Sequence, residues 1–188
     1  MLPRLLLLLA VWVLALAVAQ PVAARNSETV EIRRADLEYS DGGYRLALGF
    51  SFELTRALED ALTRGVPLYF TTEVHFTRPR WYWFDERALR ASHTARVSYN
   101  VLTQQYQVTA GGLQQSFTRL DEALALVKRP PRWHVADRAA FRSGEVYNIA
   151  IRMGLDVARL PKPIQVHALN SSDWRFWSDW KQFTFRAE

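Results

Sequence analysis

The sequence predicts a mostly β protein, an antiparallel β-sandwich of immunoglobulin-like general layout with two short helical insertions. Three observations favour this fold. Apolar residues recur at every second position in most segments, and glycine-rich turns join several of these segments. Helices do not alternate regularly with strands, as they would in a parallel sheet, so the strands should pair as antiparallel neighbours in two packed layers.

The chain begins with the layout of a secretory signal peptide. A basic start at Arg4 precedes an apolar run over 5–19, and small residues then lead up to Arg25. The alternative is an uncleaved inner-membrane anchor, but the run is shorter than the roughly 20 apolar residues that a membrane span needs. We therefore predict a signal peptide over 1–24 and a single β-sandwich domain over 25–188. We expect the mature protein in the periplasm, with no stable membrane span after cleavage.

Strands account for most of the mature chain. The clearest one runs from Tyr44 to Glu53, where large apolar residues alternate with polar or small ones, as in a strand with one buried face. Asp41-Gly42-Gly43 and Ala110-Gly111-Gly112 contain glycines that can supply the positive φ of tight hairpins. The same two-residue period predicts further strands over 68–76, 97–101, 147–153 and 183–185, and the two glycine turns predict flanking strands over 30–39, 106–109 and 113–117.

Two short helices interrupt the strands. The first covers 54–64, carries its leucines on one face and is followed by Gly65, a typical helix terminator. The second opens with a capping-box pattern formed by Thr118 and Asp121 and ends before Pro130. Each has one apolar side, so we expect each to pack against a sheet.

Composition narrows the range of partners. The chain has no cysteine, which excludes disulfide bonds and a lipoprotein anchor and leaves a packed core as the source of stability. It carries 24 Lys and Arg residues against 19 Asp and Glu residues, so it is mildly basic and suited to anionic envelope components or an acidic protein. It contains no recognised nucleic-acid-binding motif, and we expect no nucleic-acid partner.

No set of residues forms a catalytic or metal-binding pattern. The four histidines, His75, His93, His134 and His167, lack metal-ligand spacing, and no Gly-x-Ser-x-Gly nucleophile motif is present. His75 and His167 are expected on the polar sides of strands. We therefore predict a protein that is not an enzyme and has no catalytic residues, no metal site and no cofactor.

The first candidate binding segment lies near the middle of the chain. Trp81 and Trp83 would share one side of an extended stretch, with Arg78 and Arg80 beside them. One interpretation places these aromatic residues in the core, where large rings are common. In the other, the tryptophans form an exposed platform for a sugar ring or a partner's apolar side chain, and the arginines assist by cation–π or bidentate contacts.

The second candidate segment lies near the carboxyl end. Trp174, Trp177 and Trp180 recur at every third position among charged residues, so a loop or single helical turn would place them on one side. They would either cover the open end of the sandwich or form a patch that faces a ligand.

Several short blocks of the sequence, taken together, resemble the uncharacterised exported proteobacterial family called domain of unknown function 4390. They cover nearly all of the mature chain and lie at 66–70, 80–85, 102–106, 120–124, 152–156, 160–163, 172–174 and 178–181. The resemblance implies a genomic context, since members are often encoded beside a membrane sensor histidine kinase and its response regulator. It therefore suggests a binding or regulatory protein whose partner is the periplasmic part of such a kinase or another envelope component. A glycan- or cell-wall-binding module with exposed tryptophans is the alternative.

Overall fold

The computed structural model describes residues 30–79 and 86–188, with side chains in the second range from Leu89 onward. The strands in these ranges are β1 Glu31–Ser40, β2 Gly43–Ser51, β3 Leu68–Arg78, β4 Glu86–Asn100, β5 Gln105–Ala110, β6 Leu113–Phe117, β7 Trp133–Asp137, β8 Val146–Leu155 and β9 Lys181–Arg186. The α-helices are α1 Arg56–Thr63, α2 Leu120–Lys128 and α3 Lys162–Leu169.

The strands form two antiparallel sheets. The smaller sheet has the order β1-β2-β7, and the larger has the order β6-β5-β4-β3-β8-β9. The predicted mostly β, antiparallel fold is thus confirmed, with two layers that enclose one core.

Aromatic rings join the two sheets. Tyr44 of β2 lies 5.1 Å from Phe141 and 5.5 Å from Phe185 of β9, measured between ring centres, and Phe76 of β3 lies 5.0 Å from Phe141. Helix α2 covers another part of the inner face, near β4, β5 and β6, where its apolar side is buried. The small sheet and α2 therefore cover the same side of the large sheet, and the opposite side is its outer face.

The hairpin turns follow local backbone rules. Asp41 and Gly42 both have positive φ in the two-residue turn between β1 and β2, and Gly111 and Gly112 do the same between β5 and β6. This is the geometry that matches the twist of the flanking strands. Gly43 was predicted to supply positive φ to this turn, and that prediction was wrong. The residue belongs to β2, where a Cβ would lie 2.3 Å from the His134 ring, so close packing requires the glycine.

The two predicted helices are present with adjusted starts. Helix α1 begins after Thr55, whose hydroxyl accepts a hydrogen bond from the Leu58 amide, and Gly65 follows it with a φ of 87°. The capping box predicted for α2 is wrong. Arg119 is the residue before the helix and no side chain caps it, because the Asp121 carboxylate binds the Arg119 guanidinium instead, at 2.7 and 2.9 Å.

Other differences concern segments whose pattern was weak. β4 starts well before the predicted 97–101 strand and ends at Asn100, so Val101 lies in the following turn and is largely exposed. The pattern did not reveal β7 or α3. His167 lies in α3 and not on a strand, whereas His75 is on β3 as expected.

Candidate functional site

A segment near the carboxyl end crosses from a 3-10 turn to β9 along the edge of β8 in the six-stranded sheet. Residues 175–180, here called the crossing segment, connect a 3-10 turn at Ser172–Trp174 to the start of β9. Hydrogen bonds fix it to β8: the Leu155 amide donates to the Phe176 carbonyl at 2.7 Å, and the Ser178 amide donates to the Met153 carbonyl at 2.8 Å. The segment therefore runs beside β8, on the edge that β9 pairs with farther along.

Gly154 of β8 makes this close approach possible. A Cβ at this position would lie 2.3 Å from the Phe176 carbonyl oxygen and 2.4 Å from Cδ2 of Trp177. Such distances are well inside van der Waals contact, so only glycine fits beneath the Trp177 ring. The glycine thus determines where that indole rests on the sheet.

The three tryptophans of this region do not share one side. Trp174 is only 4% exposed, with its ring centre 6.4 Å from that of His167 in α3. Trp177 is half-buried on the outer face, and Trp180 is 37% exposed there. Side chains along the crossing segment point to alternate sides, so Phe176 points into the core while its neighbour Trp177 points outward.

Arg152 of β8 contacts both outward indoles. Its guanidinium carbon lies 4.6 Å from the centre of the Trp177 ring and 4.5 Å from that of Trp180, which are cation–π distances. Its Nε and Nη2 atoms both donate to the same Glu73 oxygen on β3, each at 2.8 Å. These contacts orient the guanidinium on the sheet surface.

His75 completes this group. It lies two residues after Glu73 on the same face of β3, and its ring centre is 4.8 Å from that of Trp180. We call these five residues, Glu73, His75, Arg152, Trp177 and Trp180, the tryptophan–arginine patch.

The surroundings of the patch are polar and basic. In the ladder, Arg90 of β4 is opposite His75, and Gln182 of β9 is opposite Ala150, which is itself opposite His75. Directly opposed residues share a face, so Arg90 and Gln182 lie on the outer face, and both are exposed. Exposed Arg96 follows on the same face of β4.

The candidate residues of the middle segment have a different outcome. Arg78 is the last residue of β3 and is half-buried. Arg80, Trp81 and Trp83 lie outside the described residues.

Among the candidates near the carboxyl end, the structure brings together Trp177 and Trp180 but separates them from Trp174.

Sequence reasoning placed His75 on the polar side of its strand but missed Arg152 and Glu73. Both occupy outward positions in strands whose alternation was recognised, so their outward direction could have been inferred. Their contact could not, because they are 79 residues apart in sequence and meet only through the pairing of β3 with β8.

Elsewhere, one histidine has a perturbed titration. Burial lowers the pKa of His93 on β4. The centre of its ring lies 5.5 Å from that of Trp133, and the two rings are tilted by 38°. Over the ranges 30–79 and 86–188, no group of three or more His, Asp or Glu side chains is placed to hold a metal ion. Within the same ranges, no helix has both the length and the apolar character to span a membrane.

Comparison with known proteins identifies a family. The model of the family described as Domain of unknown function (DUF4390) matches residues 27–184. Comparisons with curated proteins and with solved structures found no match to this chain. The match covers nearly the whole chain, so the protein belongs to this family.

Proposed function

We propose that this member of the DUF4390 family is a non-enzymatic binding domain of the periplasm that contacts a protein partner through the tryptophan–arginine patch. One observation carries the proposal. Arg152 is held by Glu73 and contacts two indoles on the outer face of the large sheet.

The patch has the composition of a binding hot spot. Tryptophan and arginine are the residue types most enriched among side chains that dominate protein–protein affinity. Here they are also oriented before any partner arrives, so association loses less side-chain entropy than it would with freely rotating groups. The flat β surface around them offers exposed polar groups, including Arg90 and Gln182, for a surrounding rim.

The ion pair by itself adds little to folding stability. The Arg152 and Glu73 side chains are 35% and 29% exposed, and ion pairs that water reaches contribute about 0–1 kcal/mol. We therefore expect substitution of Arg152 to weaken partner binding more than it weakens the fold.

The partner that we propose is the periplasmic part of a membrane sensor histidine kinase. The genomic context implied by the family supports this choice, and the export signal predicted over 1–24 would bring the chain to the same compartment. An accessory protein of this kind would act by binding the external part of the kinase and shifting its signalling equilibrium.

A glycan-binding module is the second candidate, favoured by the partial exposure of Trp180. Stacking on a sugar requires a free aromatic face. The Trp180 ring already contacts the Arg152 guanidinium and the His75 ring, which reduces the surface that a sugar could cover. The geometry therefore favours a protein partner, to which the rings and the cation would bind together.

Binding to the purified external segment of the kinase tests the proposal directly. We expect Trp180→Ala and Arg152→Lys each to weaken binding about tenfold or more, equivalent to about 1.4 kcal/mol. The lysine keeps the charge but loses the planar guanidinium and its two hydrogen bonds to Glu73. Gln115→Ala, at an exposed position on β6, is the matched control and should bind normally. Equal binding by all four proteins, or none by the wild type, would contradict the proposal.

Photo-crosslinking in cells tests the partner class without assuming its identity. A photoreactive residue at Gln182, beside the patch, should capture a membrane protein, whereas one at exposed Glu122 on α2 should not. Equal yields at the two positions would remove the patch from consideration. Titration with soluble cell-wall fragments tests the glycan alternative. Saturable binding that requires Trp180 would favour a glycan ligand over a protein partner.

A further inference from the structure

The second strand of the small sheet has an edge that is paired over only part of its length. β2 pairs with β7 from Gly43 to Leu46, where Leu46 is opposite Trp133. Continuing the ladder would bring Pro131 and Pro130 alongside β2. Proline has no amide hydrogen and cannot supply the ladder bonds, so β7 starts only after these residues.

β2 continues for five residues beyond this point, from Ala47 to Ser51. Over this stretch β1 pairs with one edge, and in the described part of the chain no strand pairs with the other. In an antiparallel strand, alternate residues direct their N–H and C=O groups toward each edge. This part of β2 therefore presents backbone groups suited to one more strand.

A cleft of about 900 Å³ lies along this part of β2. Its lining includes Ala47, Gly49 and Ser51, whose side chains are small. Five cationic residues line it: Arg33, Arg34, Lys128, Arg129 and Arg132. No carboxylate belongs to the lining among the described residues. We call this site the basic cleft.

The cations of the basic cleft are available to an anionic ligand. Arg33 and Arg34 pair with nearby acids on β1, and Arg132 pairs with Glu38 at 3.5 Å. These side chains are mostly exposed, and such pairs contribute about 0–1 kcal/mol, so a ligand carboxylate can compete for them. Lys128 lies 5.1 Å from the centre of the Phe52 ring, and Arg129 is exposed. The cleft therefore attracts negative charge.

We propose that the basic cleft binds an extended acidic segment of a partner protein by strand addition to β2. The unpaired edge can form hydrogen bonds with a peptide backbone, and the surrounding cations can pair with carboxylates. Five strand residues span about 17 Å, so the bound segment is about five residues long. Side chains of a strand alternate in direction, so acidic residues at every second position would share one side of the added strand.

This proposal is independent of the tryptophan–arginine patch. The basic cleft is formed by the small sheet and the segment that leads from α2 to β7, whereas the patch is on the outer face of the large sheet. A partner that used both surfaces would gain avidity, but each is tested separately.

Fluorescence anisotropy with a labelled peptide of alternating glutamate and valine provides the first test. We expect saturable binding that weakens at 1 M salt, where the screening length falls to about 3 Å. The double variant Lys128→Glu, Arg129→Glu should weaken binding at least tenfold. The matched double variant Arg90→Glu, Arg96→Glu reverses two charges on the other sheet and should bind normally. Equal loss in both variants would overturn the proposal, and so would an absence of peptide binding.

Backbone pairing has its own test. The same peptide N-methylated at every second amide, prepared in both registers, should bind at least tenfold more weakly in one register because the methyl groups block the ladder. On addition of the unmodified peptide, hydrogen exchange should slow at alternate amides of 47–51. If both methylated peptides bind as well as the parent, the cleft is a simple polyanion site and strand addition is refuted. Urea unfolding of each variant verifies that the fold is intact.

Discussion

Replacing Gly154 with alanine should detach the crossing segment from the sheet. The new Cβ would lie 2.3 Å from the Phe176 carbonyl oxygen, so the segment must retreat by about 1 Å to reach ordinary contact. Two hydrogen bonds would be lost or stretched, from the Leu155 amide at 2.7 Å and the Ser178 amide at 2.8 Å.

The size of the effect follows from these contacts. Each lost hydrogen bond costs about 1 kcal/mol, and overpacking of a tight site costs about 1–3 kcal/mol. Because the segment can relax by moving outward, we expect a total of about 2–4 kcal/mol. With a denaturant dependence of about 2 kcal/mol per molar urea, the unfolding midpoint should fall by about 1–2 M.

Gly49→Ala is the matched control on β2. A Cβ there would lie 3.2 Å from the Cβ of Arg34 and 3.8 Å from its backbone nitrogen, so the free energy of unfolding should change by less than about 1 kcal/mol. Urea unfolding measures both variants, and hydrogen exchange at the Leu155 and Ser178 amides reports local detachment. If Gly154→Ala unfolds at the wild-type midpoint with unchanged exchange at these amides, the proposed role of Gly154 is refuted.

Two further predictions concern the fold. Thr55→Ala removes the cap of α1 and the hydroxyl bond to the Asp173 carbonyl at 2.9 Å, so the free energy of unfolding should fall by about 1–2 kcal/mol, whereas exposed Thr63→Ala should change it by less than about 0.5 kcal/mol in the same urea assay. Burial lowers the pKa of His93, so between pH 7 and pH 5 the unfolded chain takes up a proton before the folded one and stability should fall on acidification. Urea midpoints across this range should depend less on pH in His93→Gln, and an unchanged dependence would exclude this histidine as a contributor.

Features that depend on short-range pattern could be predicted from the sequence. Alternation over Tyr44–Glu53 identified a strand because side chains of a strand point to opposite faces. The glycines of Asp41-Gly42-Gly43 predicted a hairpin because a tight turn needs positive φ, which Asp41 and Gly42 adopt. The two amphipathic helices were found for the same kind of reason, since one apolar side at helical spacing requires a surface to pack on.

Elements without such a pattern were missed. α3 buries Ala168 alone and leaves Val166 and Leu169 exposed, so no apolar stripe marked it as a helix. β7 has five residues, too few for a clear alternation, and begins only where the preceding prolines end.

The contacts among the candidate residues depend on strand pairing in the folded chain. The order β4-β3-β8-β9 places Glu73 and Arg152 side by side, and the pattern of a single strand carries no information about its neighbours in the sheet. The crossing segment turns Trp177 outward because it bonds to β8 beside Gly154, a contact between residues distant in the chain, whereas Trp174 is buried in the 3-10 turn that precedes the segment. Local pattern thus determined which residues face outward on a strand, whereas strand pairing determined which of them form a surface.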